Sequence, residues 1–198
     1  MQLHKPDVVA KAVTILDTYG IADLTMRRLA RELDVTPGAL YWHFANKQEL
    51  LGAVADTVLA PALRAPDDQQ WQARIAAVSR RLRDALLSHT DGAELVSATL
   101  ATGQSDALRA VLVLLADACV DAGVPPAQAE LAARTIVYYV LGFTADEQSR
   151  LQWDAAGALP DDQSLLHADA APGARFDFGL SLLVDGLSVQ ARRSVNAR

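Results

Sequence analysis

The stretch from Leu24 to Phe44 (LTMRRLARELDVTPGALYWHF) constrains the fold of this chain more than any other. Thr25 is a favourable N-cap, because its hydroxyl can accept a hydrogen bond from a free backbone N–H at a helix start. The apolar stripe of the helix that follows consists of Leu29, Ala30 and Leu33. Asp34 lies at a turn, where a residue that tolerates the left-handed conformation is favoured. Thr36 and Pro37 then predict the start of a second helix of about two turns.

Two short helices joined by a tight turn form a helix-turn-helix, whose second helix can enter the major groove of DNA. The spacing alone also describes a packed helical corner without a ligand, so the residue chemistry has to decide. Gly38 and Ala39 are small and let the second helix approach base edges closely. Tyr41, His43 and Lys47 follow at positions suited to phosphate contacts. This chemistry favours DNA binding.

Helices on both sides of this stretch are predicted to complete a three-helix head. The first runs from Asp7 to Tyr19 and ends at Gly20, a natural C-cap. Its inward face is predicted to consist of Val9, Ala12, Val13 and Leu16. After the helix-turn-helix, Asn46 caps a connecting helix toward Leu63, with Glu49 as its capping-box partner. That helix carries the apolar residues Leu50, Leu51, Val54, Val58 and Leu59.

The composition indicates a globular helical protein, since 51% of the 198 residues are hydrophobic and glycine and proline are few. The single cysteine, Cys119, excludes an intrachain disulfide and lies in an apolar helix, where we expect a small core residue. A reducing compartment fits this usage. We find no signal peptide and no apolar run of the ~18 residues that a membrane span needs, so we expect a cytoplasmic protein without membrane contact.

The net charge of -6 is distributed unevenly along the chain. Up to residue 48 there are six basic and five acidic residues, whereas the remainder carries 12 basic and 19 acidic ones. An acidic body repels DNA and a near-neutral head does not, which orients the molecule on its partner.

The remainder of the chain predicts a helical body after a boundary loop at residues 64–70. The expected helices are Trp71–Ser88, Asp91–Ala98, Ser105–Ala122, Pro126–Leu151 and Ala174–Arg192. Residues 152–173 are predicted to form a loop with a helical turn near 164–168. We therefore divide the chain into a DNA-binding domain (residues 1–46), a connecting helix (47–65) and a helical body (66–198), which the family resemblance given below implies to be an effector-binding and dimerisation domain.

The last helix is apolar on two faces. One stripe consists of Phe176, Leu180, Leu183 and Leu187, and the other of Phe178, Leu182, Gly186 and Val189. A helix of this kind must bury both faces, either in the middle of its own core or with one face on the body and the other on a second copy. The family resemblance given below implies a dimer interface formed by this helix and the long one before it, and on that ground we assign the first stripe to the interface.

The sequence disfavours an enzyme. The four histidines are far apart and show no metal-ligand spacing, and no nucleophile elbow, phosphate-binding glycine loop or dinucleotide fingerprint is present. Asp146 and Glu147 are adjacent, and neighbouring helical residues point apart. We expect no cofactor and no metal. A helical ligand-sensing or adaptor protein without operator binding remains the alternative, although the intact LYWHF cluster argues against it.

The segment from Val8 to Leu63, with LTMRRLARELDV and GALYWHFANKQELL, resembles the DNA-binding domain of the TetR family of bacterial transcriptional regulators. WQARIAAVSRRLRDALLSHTDGAEL resembles the tetracycline repressor subgroup. The resemblance implies an all-α fold: an N-terminal three-helix helix-turn-helix domain and a larger C-terminal helical domain for ligand binding and dimerisation. It implies a homodimeric, ligand-responsive regulator, most simply a repressor, on a palindromic operator in double-stranded DNA.

The resemblance also implies the residues that contact DNA. Base-edge contacts fall on Arg27, Thr36, Pro37, Gly38 and Ala39, and phosphate contacts on Tyr41, Trp42, His43 and Lys47.

The effector-binding residues follow from the same resemblance. The histidine positions of the tetracycline repressor fall on Leu63, Val96 and Tyr138, its amide and glutamine positions on Val78 and Leu115, and an aromatic position on Leu82. Thr99 and the pair Asp146–Glu147 persist. The replaced set is mostly apolar, which predicts a hydrophobic or aromatic small-molecule effector bound without metal. The alternative is that these side chains fill a solid core.

Overall fold

The computed structural model of the protein describes residues 3–64, 70–159 and 172–196. These ranges contain helices and no strand. Two short 3-10 segments, Ile21–Asp23 and Ala60–Leu63, lie between successive α-helices. The α-helices are α1 (Lys5–Tyr19), α2 (Met26–Glu32), α3 (Pro37–Tyr41), α4 (Lys47–Leu59), α5 (Trp71–Leu87), α6 (Gly92–Thr102), α7 (Asp106–Asp121), α8 (Pro126–Ala155) and α9 (Pro172–Asn196). None of the described helices is long and apolar enough to cross a membrane.

The predicted helix-turn-helix is confirmed, with its caps. The Thr25 hydroxyl accepts a hydrogen bond from the Arg28 N–H at 3.1 Å, and the Thr36 hydroxyl accepts one from the Ala39 N–H at 3.4 Å. Asp34 has a φ of 54°, the left-handed conformation that the turn requires. However, α3 has five residues rather than two full turns. The backbone leaves the helix after Tyr41, and Phe44 is buried.

Helix α1 ends at Gly20 as predicted, but its buried face differs from the expected one. The residues of α1 that are buried are Val8, Ala12, Ile15 and Leu16. Val9 and Val13 are only partly buried. The predicted face was therefore rotated about the helix axis, because Val8, Ala12 and Ile15 form the i, i+4, i+7 row that faces the core.

Helix α4 belongs to the head and to the body at once. All five apolar residues predicted for it are buried, and Gly52 is buried with them. A Cβ added at Gly52 would lie 2.3 Å from the Gln104 carbonyl oxygen, so α4 passes close to the end of α6. Asp56 accepts hydrogen bonds from the Ser105 hydroxyl (2.7 Å) and the Ala107 N–H (2.9 Å). Head and body therefore share one core cluster.

The predicted body helices are confirmed, with shifted ends. α6 extends to Thr102 and α8 to Ala155, so the first residues of the expected loop after 151 continue a helix. α9 already begins at Pro172. Most of the boundary loop at 64–70 and the turn expected near 164–168 lie outside the described residues. Cys119 is fully buried, and burial raises the pKa of its thiol to about 11, as expected for a core cysteine.

A buried ion pair joins α5 to α8. The Arg83 guanidinium donates to both carboxylate oxygens of Glu147, at 2.9 and 2.5 Å, and both side chains are about nine-tenths buried. The same guanidinium lies 5.3 Å from the ring centre of Phe176 on α9. Tyr139 stacks on Phe176 and donates a hydrogen bond to its carbonyl oxygen at 2.7 Å. These contacts fix α9 against the body.

Candidate nucleic-acid interface and effector groove

Helix α3 presents its first residues to solvent and is held in the core through a single side chain. Thr36, Pro37 and Gly38 are exposed, and Ala39 is partly buried. Leu40 is fully buried and anchors the helix in the head. The exposed end therefore carries only small side chains, and another molecule can approach its backbone closely.

The neighbouring arginines of α2 differ in their surroundings. Arg28 forms an ion pair with Asp23 and lies over the Tyr19 ring, 3.6 Å from its centre. Arg27 is exposed, and no ion pair or ring contact holds it within the described part of the chain. Arg28 therefore fixes the turn before α2, whereas Arg27 is accessible to a ligand.

The aromatic-basic cluster at the end of α3 forms the rest of the exposed surface. Trp42 is 90% exposed and Tyr41 is 52% exposed, which is unusual for large aromatic side chains. His43 and Lys47 are partly exposed beside them. Aromatic residues with a polar end are typical of surfaces that bind a partner.

An ion pair that the sequence reasoning missed holds the turn between α3 and α4. Lys5 Nζ lies 3.3 Å from the Glu49 carboxylate and 4.7 Å from the Phe44 ring centre. Glu49 accepts a hydrogen bond from the Ala45 N–H at 2.9 Å, and Asn46 accepts one from the Glu49 N–H at 2.9 Å. The predicted Asn46 cap is confirmed, but the reciprocal bond comes from Ala45. The Ala45 N–H and then Lys5 hold the pKa of Glu49 below its ordinary value.

The seven residues predicted to bind an effector do not line one groove. Five of them are buried in the core: Val78, Leu82, Val96, Thr99 and Leu115. The Thr99 hydroxyl donates to the Val96 carbonyl oxygen at 2.8 Å, and Leu63 is only partly buried. The five buried residues pack against other core residues in this structure, and their contact with an effector stays a prediction.

Tyr138, the most exposed of the seven, lines an open groove between α6 and α8. The groove has a volume of about 940 Å³. Its lining residues, mostly small, are Ala93, Glu94, Ser97, Ala98, Leu100, Ala101, Arg134, Tyr138, Leu141, Gly142 and Ala145. It combines an apolar floor with a few polar groups, as small-molecule sites do.

One member of the acidic pair Asp146–Glu147 on α8 has a structural role. Glu147 is held by Arg83 in the buried ion pair, so its carboxylate is not directed at a ligand. Among the described residues, no group of three or more His, Cys, Asp or Glu side chains is placed to hold a metal ion.

The stripe of α9 that we assigned to a dimer interface packs against the chain's own body. Phe176 and Leu180 are buried, and Leu183 and Leu187 are partly buried. The other stripe is exposed: Phe178 by 68%, Leu182 by 57% and Val189 by 48%. Phe176 and Leu180 are therefore occupied by the chain's own body, because α9 packs its Phe176 side against Tyr139 and Phe143 of α8, whereas a dimer contact of Leu183 and Leu187 stays a prediction.

Comparison with known proteins gives matches over nearly the whole chain. Residues 8–54 match the family described as "Bacterial regulatory proteins, tetR family", and residues 65–191 match "Tetracyclin repressor-like, C-terminal domain". The class E tetracycline repressor of Escherichia coli is 33% identical over 96% of this chain and 92% of its own length.

Solved structures agree with these matches. The crystal structure of Mycobacterium smegmatis BioQ has a TM-score of 0.88 and 62% identity, covering 95% of this chain and 99% of BioQ. The structure of BioQ with its double-stranded DNA operator has a TM-score of 0.83 and 60% identity, covering 94% of this chain and 99% of that chain. A TetR variant from Acinetobacter baumannii AYE in complex with minocycline has a TM-score of 0.76 and 28% identity, covering 96% of this chain and 99% of that chain. Together with the helix-turn-helix head, these matches show that the chain belongs to the TetR family of DNA-binding transcriptional regulators.

Proposed function

We propose that this regulator is a repressor that binds a palindromic operator as a homodimer and is released by a small apolar effector. In this proposal residues 1–46 read DNA, residues 47–65 connect, and residues 66–198 bind the effector and the second copy. The exposed, small-residue start of α3 beside the aromatic-basic cluster is the observation that carries operator binding. The operator complex of BioQ, at 60% identity, supports it.

Each exposed residue has a role that its chemistry suits. Arg27 carries two donor groups that fit the O6 and N7 atoms of a guanine. Thr36, Pro37 and Ala39 offer short apolar groups to thymine methyls, and Gly38 allows the close approach. The phosphate contacts, which set the register of the head without reading sequence, are made by Tyr41, Trp42, His43 and Lys47.

Replacing Arg27 with alanine tests the base-reading role. Arg27→Ala should cost about 1–3 kcal/mol of binding free energy and relax the base preference at one operator position. Lys47→Ala is the matched control, because loss of a phosphate contact should weaken all sequences alike and reduce the salt dependence of binding. Fluorescence anisotropy on the DNA upstream of the protein's own gene, with single-base variants, measures both. An equal loss from Arg27→Ala on every variant would refute the assigned role.

Exposed apolar side chains on two neighbouring helices support the homodimer. On α8, Leu131 is 66% exposed. On α9, the stripe of Phe178, Leu182 and Val189 is exposed as well. Apolar patches of this kind mark interaction sites, and a two-fold dimer matches the symmetry of a palindromic operator.

Two leucines of α9 separate dimerisation from folding. Leu182→Arg places a charge on the exposed stripe, so it should yield a folded helical monomer whose melting temperature falls only by the share that dimerisation contributes and no longer depends on protein concentration. Leu180→Arg places the charge in the chain's own core, so it should lower the melting temperature at every protein concentration. Light scattering at micromolar concentration, together with thermal unfolding, distinguishes the two. A monomeric wild-type protein, or a Leu182→Arg variant that stays dimeric, would contradict this interface.

The groove between α6 and α8 is our candidate effector site. Its floor of small side chains leaves room for a flat apolar molecule, while Tyr138, Arg134 and Ser97 offer polar contacts at its edge. A ligand that favours one arrangement of the helices would shift the population of head positions away from the one that fits DNA.

The proposed site excludes the drug–magnesium complex of the tetracycline repressors. The positions that resemble their histidines hold Leu63 and Val96, and Glu147 is paired with Arg83. Tetracycline with magnesium should therefore neither raise the melting temperature nor release the operator, whereas a tetracycline repressor of Escherichia coli, as the positive control, should respond. Release at micromolar tetracycline that a chelator abolishes would show that the proposed chemistry is mistaken.

A further inference from the structure

A second connection between head and body lies where the turn between α5 and α6 meets the end of α1. His89 Nδ1 lies 3.0 Å from the Asp17 carboxylate, and the Thr90 hydroxyl donates to the Asp17 carbonyl oxygen at 3.0 Å. The Ile21 N–H donates to Asp91 Oδ2 at 3.0 Å. These contacts join segments about 70 residues apart in sequence and do not involve α4.

Asp91 is used here in an unusual way. It is the N-cap residue of α6, yet its carboxylate makes no capping hydrogen bond, and its φ of 53° lies in the left-handed region. An aspartate at this position would ordinarily cap its own helix. Gly20, with φ 81°, makes room for it, since a Cβ there would lie 2.5 Å from Asp91 Oδ2. Asp91 therefore keeps a strained backbone conformation while its carboxylate contacts the head at Ile21.

Two glutamines of α8 complete this joint. Gln148 Oε1 accepts from the Ala93 N–H at 3.1 Å and so replaces the missing cap of α6. Its Nε2 donates to the carbonyl oxygens of His89 (2.8 Å) and Leu86 (3.1 Å). Gln152 Nε2 donates to Asp91 Oδ1 at 2.8 Å. One carboxylate therefore contacts the head through one oxygen and α8 through the other.

We propose that Gln152, through Asp91, is a positioning residue that sets the angle of the DNA-binding head relative to the body. The inference rests on the proposed binding of a palindromic operator. Helix α8 also carries Tyr138, Gly142 and Ala145 of the groove, so a displacement of α8 reaches α1 by a route separate from α4.

The position of the head decides binding only when two heads must fit one operator. Half-sites of a palindrome lie one helical turn, ~34–36 Å, apart, so both heads must be held at matching positions. A single half-site makes no such demand. Loosening this joint should therefore weaken binding to a full palindrome and leave binding to a half-site unchanged.

The isosteric substitution Gln152→Glu tests this, because it replaces the N–H donor by an acceptor that faces Asp91. We expect the ratio of palindrome affinity to half-site affinity to fall roughly three- to tenfold, the range of one hydrogen bond. Gln152→Ala, which removes the donor without adding charge, should lower the ratio similarly. Gln152→Lys, which keeps a donor opposite the carboxylate, should retain it.

The matched control is Gln128→Glu, an exposed glutamine of α8 far along the helix from the joint. It adds the same charge, and its ratio should equal that of the wild type. Equal ratios for Gln152→Glu, Gln152→Ala and the wild type, with the wild type preferring the palindrome, would overturn the positioning role alone. A wild type without preference for the palindrome would overturn the proposed operator binding and this role with it.

Discussion

The burial of α4 on nearly all sides is the constraint on which the rest of the structure depends. Its leucines and valines pack against the head on one side and against α5, α6 and α7 on the other, within one core cluster. At Gly52 and Asp56 it also makes close backbone and hydrogen-bond contacts with the segment that joins α6 to α7. A helix shared in this way couples any shift of the body helices around it to the position of the head.

The polar contacts of the head leave the surface around Arg27 and Trp42 accessible, while those of the body fix its helices. Arg28 and Glu49 are occupied inside the head, whereas Arg27 and Trp42 are exposed. In the body, Glu147 is paired with Arg83. The groove between α6 and α8 is lined mostly by small and apolar residues. Replacing one partner of such a buried pair leaves an uncompensated charge, so loss of either side chain should destabilise the packing of α5 on α8.

Features that depend on neighbours in sequence could be predicted well. The caps at Thr25, Thr36 and Asn46 and the left-handed Asp34 follow from local chemistry alone. The side of a helix that meets its neighbour could not be predicted as well, because two stripes of α9 are equally apolar in sequence and only the contact of Phe176 with α8 distinguishes them. The partner of Asp91 and the burial of Val96 and Leu115 are likewise tertiary properties, which the sequence around these residues does not reveal.

Native-state hydrogen exchange of α4 tests most directly the claim that head and body share one core. The account predicts that the amides from Leu50 to Leu59 exchange in the same cooperative unit as those of α5 and α7, with a matching free energy of opening. If these amides instead opened together with α1–α3 while α5 and α7 stayed protected, the head would be an independent unit, and the shared core would be contradicted.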